Sequence, residues 1–121
     1  MRNVTVATTQ MACSWDRAAN LDRAEALVRA AAAQGAQVIL LQELFETPYF
    51  CIDQRHHHNA LAAPFDGHPW LGRFAALARE LQVVLPVSFF EQAGNTQFNS
   101  LAMIDADGSV LGHYRKMHIP D

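Results

Sequence analysis

The spacing of apolar residues changes period several times along the chain, and each change marks an element. Val4–Met11, rich in Val, Thr and Ala, predicts a first strand. Leu21, Ala24, Leu27, Val28, Ala31 and Ala32 then recur at helical spacing. Asn20 or Asp16 can cap the start of that helix, and Gly35 suits its end. Gln37–Glu43 comes next as an almost wholly apolar strand, the pattern of a strand covered on both faces. Leu44–Pro64 carries no period and predicts a long loop, of the length that is usually functional or mobile. Leu71, Phe74, Ala75, Ala78 and Leu81 predict a second amphipathic helix, with Pro69 in its first turn. Three strands complete the chain, over Val83–Glu91, Gln97–Ile104 and Val110–Arg115. The turns between them are Ala93-Gly94-Asn95 and Asp105-Ala106-Asp107-Gly108.

The order β-α-β-loop-α-β-β-β predicts an α/β layer: a mixed sheet with helices on one face. The second face of that sheet is also apolar, and no element is left over to cover it. Composition narrows the picture. With 121 residues the chain is one domain or less, and 50% apolar residues are ample for a core. Nine basic against twelve acidic residues, without a basic cluster, argue against a nucleic-acid partner. The apolar run Val38–Leu41 is far too short to span a membrane. Cys13 and Cys51 lack metal-ligand spacing and fit a reducing, cytoplasmic setting.

Two residues stand where chemistry is usually placed. Glu43 ends a strand at a sheet edge before the long loop, beside Leu40, Leu41, Leu44 and Phe45. Desolvation there is expected to raise its pKa and make it a base near neutrality. Lys116 comes after the last strand and can present a fixed positive charge to a developing oxyanion. On local features alone, a solvated loop or strand end is the favoured reading of Glu43, and more strongly so of Lys116. His56-His57-His58 points in divergent directions with no further ligand at a zinc spacing, so a solvated loop is expected and no metal. Cys51 lies among apolar neighbours and Cys13 has no evident base, so both thiols are assigned to packing.

Several stretches in register resemble the nitrilase superfamily of carbon–nitrogen hydrolases, and within it the branch that hydrolyses N-carbamoylputrescine. The carriers are Thr9–Cys13, Ile39–Glu46, Tyr49-Phe50-Cys51, Pro86–Glu91, Asn99-Ser100, Ile104–Gly108 and Tyr114-Arg115-Lys116. The resemblance implies the N-terminal half of a four-layer α-β-β-α sandwich. It implies Glu43 as general base and Lys116 as oxyanion stabiliser, with Glu46, Tyr49 and Phe50 lining the substrate pocket and Glu46 pairing a cationic amine. It implies a small ureido or amide substrate, no metal or organic cofactor, and homo-oligomers of full-length members. The nucleophilic cysteine of the superfamily lies downstream of the lysine stretch. Residues 1–121 are therefore expected to be an incomplete hydrolase domain, inactive alone. A non-catalytic subunit or complementing fragment, and a loop-based metal binder, remain as alternatives.

Overall fold

The computed structural model describes residues 1–53 and 55–120. Its elements are β1 (Val6–Thr8), α1 (Arg17–Ala33), β2 (Val38–Leu40), α2 (Leu71–Leu81), β3 (Leu85–Ala93), β4 (Thr96–Ile104) and β5 (Val110–Arg115). Strand β1 pairs with β2 in parallel across the α1 crossover, and β3, β4 and β5 form an antiparallel meander. A parallel bridge from Val38 to Val84 joins the two sets, with Ile39 N donating to Val84 O at 3.0 Å and Val84 N to Gln37 O at 2.9 Å. The result is the mixed α/β sheet that the element order predicts.

The first two strands are shorter than their apolar runs. Thr9 N still reaches Leu40 O at 3.0 Å, but Met11 N is taken by the Gln42 side chain at 2.8 Å. A side-chain acceptor thus replaces the ladder, and Glu43 falls in the turn beyond β2 rather than at its end. Helix α1 starts earlier than its periodic residues because Asp16, not Asn20, is the cap: its carboxylate accepts from Ala19 N at 3.0 Å. Pro69 lies outside α2, where Trp70 is the cap residue and His68 Nδ1 accepts from the Trp70 and Leu71 amides, each at 3.4 Å. The long loop contains two 3₁₀ turns, Phe50–Ile52 and His56–Leu61.

One sheet face is covered by the helices. Ile39, Leu85, Val87, Phe89, Ala102 and Ile104 pack there against Ala24, Val28, Phe74, Leu77 and Ala78. Phe45 meets Trp70 and Phe74 edge to face, at 5.3 and 5.6 Å between ring centres. The helices are tied to each other at the surface by Arg73 with Asp22 and Glu25, and by Arg29 with Glu25 and Glu80. On the opposite face, the alternation leaves Val6, Leu40, Met103 and Tyr114 exposed. No helix among the described residues is long and apolar enough to cross a membrane.

Candidate active site

The site forms where the turn after β2 meets the middle of β4 and the end of β5, on the sheet face away from the helices. Glu43 and Lys116, 73 positions apart in sequence, meet there. Lys116 Nζ donates to Glu43 Oε1 at 2.8 Å, and Asn99 Nδ2 donates to the same oxygen at 2.5 Å. Asn99 belongs to β4, and its carbonyl accepts from Lys116 N at 2.8 Å, so the two donors are held side by side. They border an open cleft of about 300 Å³, lined also by Leu40, Leu41, Ser88, Leu101 and Tyr114. A carboxylate and an ammonium on an apolar wall suit binding of a small polar group.

The expectation of a raised Glu43 pKa is overturned. Burial is the largest single influence and does push the carboxyl up, but the hydrogen bonds from Lys116 and Asn99 and the lysine's charge together outweigh it. The side chain keeps 42% of its surface exposed, and the carboxyl sits below its ordinary range. Glu43 is thus ionised at neutral pH, and Lys116 is held charged by the same contact.

The turn that carries Glu43 is anchored from several sides. Leu44 adopts a left-handed φ of 50°, uncommon for a residue with a side chain. Its amide donates to Ser88 Oγ at 2.9 Å in a buried bond from β3. Phe45 O accepts from Cys13 Sγ at 3.2 Å. Glu46 O accepts from Asn20 Nδ2 at 2.9 Å. Asn20 is fully buried and also clamps Ser14, accepting from Ser14 N at 3.1 Å and donating to Ser14 O at 2.6 Å. The cap candidate of the sequence is in fact the pin that joins the loop after β1 to the turn that carries Glu43.

The other expected pocket residues are placed unevenly. Tyr49 does not line the cleft but is partly exposed, near enough for the Glu43 and Lys116 charges to act on it, and burial pushes its phenol up. Cys51 lies in the same neighbourhood with its thiol pushed up, chiefly by burial, which disfavours a thiolate. Glu46 does not line the Glu43 cleft: its Oε1 accepts from Arg17 Nε at 2.9 Å and Nη2 at 2.5 Å, and its side chain is mostly buried. Phe50 is buried against Phe90 and His58 rather than facing the cleft. The histidine run is not simply solvated either. His58 is buried and stacks on Trp15 at 5.5 Å. Among the described residues no group of three or more His, Cys, Asp or Glu is arranged to hold a metal.

Sequence reasoning missed Asn99, Ser88, Asn20 and Arg17 as parts of this site. A signal existed for one further residue: Glu91 continues the series Leu85, Val87 and Phe89 at period two, so it points inward and needs a partner.

N-carbamoylputrescine amidase of Solanum lycopersicum is 56% identical over 120 residues, covering 99% of this chain and 40% of that protein. Citrullinase of Francisella tularensis is 45% identical over 121 residues, covering 100% of this chain and 42% of that protein. The crystal structure of a carbon–nitrogen hydrolase from Helicobacter pylori G27 matches with a TM-score of 0.87 at 33% identity, over 98% of this chain and 41% of that one. The chain thus spans about two fifths of the length of the relatives it matches. The carbon–nitrogen hydrolase family matches residues 5–121, and the chain belongs to that family.

Proposed function

We propose that this chain carries the base and the oxyanion donor of an amidase that hydrolyses a terminal ureido group, with N-carbamoylputrescine as its substrate. The observation that carries the reading is the 2.8 Å contact between Glu43 and Lys116 at an open cleft. The 56% identity to a protein named for that substrate supports the choice within the family.

In this mechanism a cysteine outside residues 1–121 supplies the nucleophile. Glu43, already ionised, accepts the thiol proton, and the sulfur attacks the ureido carbon. Lys116 stabilises the negative oxygen that develops on that carbon. The proton then passes to the departing nitrogen, which leaves as ammonia. Water attacks the carbamoyl thioester in the second half, and the carbamic acid released breaks down to carbon dioxide and putrescine. Tyr49, beside the cleft, contacts substrate, while Phe50 and the Arg17–Glu46 pair support the turn from behind. The exposed face with Val6, Leu40, Met103 and Tyr114 receives the remaining part of the domain, so residues 1–121 alone are inactive and self-associate. The reaction needs no metal or organic cofactor, and the unpaired thiols of Cys13 and Cys51 suit the cytoplasm.

Citrulline ends in the same ureido group, and 45% identity to a citrullinase favours it as the second reading. The two substrates differ at the far end, a cationic amine against an amino acid. Ammonia release from N-carbamoylputrescine, citrulline and a simple amide by the protein carrying this sequence separates them. We expect the highest kcat/KM on N-carbamoylputrescine, and a loss of about a hundredfold or more in kcat for Glu43→Gln and for Lys116→Met. Undiminished turnover by Glu43→Gln would sink the assignment of the base.

A further inference from the structure

Glu91 is a charged side chain only 2% exposed, and the proposed reaction gives it nothing to do. Burying a carboxylate is costly unless it is paired and hydrogen-bonded. Glu91 is both. Its Oε2 accepts from Ser100 Oγ at 2.7 Å and Arg115 Nε at 3.0 Å, and its Oε1 accepts from Arg115 Nη2 at 2.7 Å. His113 Nε2 lies 3.4 Å from Oε1. The Arg115 guanidinium also rests on the Phe98 ring, 4.2 Å from its centre.

The partners matter because of their neighbours in sequence. Ser100 and Arg115 are opposite one another in the β4–β5 ladder, on the helix-covered face with Glu91. One step along each strand, side chains turn to the other face. Those adjacent residues are Asn99 and Lys116, the two donors to Glu43. Among the described residues β5 is an edge strand, paired with β4 alone, and Lys116 lies just past its last rung. An edge strand has no second ladder to hold its end, so side-chain contacts carry that task. A two-pronged arginine–carboxylate contact fixes both distance and plane, which a single bond does not.

We infer that Glu91 is a positioning residue: by gripping Arg115 and Ser100 from the helix side, it aims Lys116 and Asn99 at Glu43 on the other side of the sheet. Its catalytic meaning rests on the proposed roles of Glu43 and Lys116. The test uses Glu91→Gln in the protein carrying this sequence, with Lys116→Met as reference and Arg115→Lys as a second variant. Two quantities are read: the midpoint of the Glu43 carboxyl titration by ¹³C NMR, and kcat and KM for ureido hydrolysis. Glu91→Gln should raise the Glu43 midpoint toward that of Lys116→Met. It should lower kcat about tenfold to a hundredfold with KM moved less than about threefold. Arg115→Lys keeps the charge and loses the fork, so it should shift both in the same direction by less. An unmoved Glu43 midpoint with kcat within about threefold of wild type, even alongside a lower Tm, overturns the inference and leaves Glu91 a brace. If Glu91→Gln does not fold, Arg115→Lys decides by the same criteria. A wild-type protein that releases no ammonia from any ureido compound overturns the proposed function instead, and the titration still decides the positioning role.

Discussion

Replacing Asn20 by alanine should be among the most damaging single changes to this domain, although the residue touches no substrate. The side chain is fully buried in the first turns of α1 and makes three hydrogen bonds, to Ser14 N, Ser14 O and Glu46 O. Alanine removes all three, each in part-buried surroundings. At ~1 kcal/mol for each bond, the ordinary net worth of an intramolecular hydrogen bond, the loss is ~3 kcal/mol. Alanine is the better helix former and returns ~0.5 kcal/mol. The net cost is ~2.5 kcal/mol. Asp16 gives the comparison, since its carboxylate makes a single exposed cap bond to Ala19 N, and Asp16→Ala should cost ~1 kcal/mol. Urea unfolding of the two variants and wild type, in the protein carrying this sequence, measures both. With a slope of ~2 kcal/mol per molar urea, Asn20→Ala should unfold ~1 M earlier than wild type and Asp16→Ala ~0.5 M earlier. Equal losses, or a larger loss for Asp16→Ala, would show that Asn20 is not the pin between the two loops. The same pin holds the turn of Glu43, so kcat of Asn20→Ala should fall more than its KM rises.

Three further outcomes rest on single contacts. Burial, with the charge of Arg17, pushes His68 down to about 4, and its Nδ1 accepts the first amides of α2 as the neutral ring. The folded state resists a proton that the unfolded chain takes up near the ordinary value of 6.5, so stability is full above that pH and declines as pH falls toward 4. Thermal unfolding across that range should show a gentler decline for His68→Asn, which keeps an acceptor without the proton; identical slopes would refute the assignment. Glu91 lies below the ordinary carboxylate range chiefly through its bond from Arg115, with burial opposing and Ser100 assisting. Its contribution is present above the unfolded value of 4.5 and is lost as pH falls through the depressed folded value, so the Tm advantage of wild type over Glu91→Gln should shrink only below about pH 4.5. Gly108 has φ of 84°, and an added Cβ would lie 2.7 Å from Ala75 O, whereas Gly94, with φ of 58°, has nothing within 4 Å. Gly108→Ala should therefore cost more than ~2 kcal/mol and Gly94→Ala only ~1 kcal/mol, as read by denaturant midpoints.

The scaffold was legible because its elements obey one period each. Leu71, Phe74 and Ala78 mark the buried stripe of α2, and all three are in the core. The last three strands and their glycine turns come close to the expected bounds for the same reason. What escaped was decided by side chains that bond across elements. Gln42 ends the β1–β2 ladder by taking Met11 N, and no propensity of glutamine announces this. Leu44 is left-handed because Ser88 waits for its amide on β3, 44 positions away. Glu46 turned to Arg17 and away from the cleft through a contact spanning 29 positions.

Such contacts explain why the chemistry reads less clearly than the fold. Apolar period reports which face of an element is covered, a property of the element alone. The Glu43 environment is a property of three segments that meet only after folding: the turn after β2, Asn99 on β4 and Lys116 after β5. Local neighbours such as Leu40 and Leu44 argue for desolvation and a raised pKa, while the distant ones impose the reverse. The strand period nevertheless connects the two levels. Along β4 and β5 it sends Ser100 and Arg115 to the buried carboxylate and Asn99 and Lys116 to the exposed one. A one-residue slip of β5 against β4 would exchange those faces, turning the lysine toward Glu91 and the arginine toward Glu43. The ion pair under the sheet and the ion pair above it are therefore alternatives to the same slip, and each penalises it.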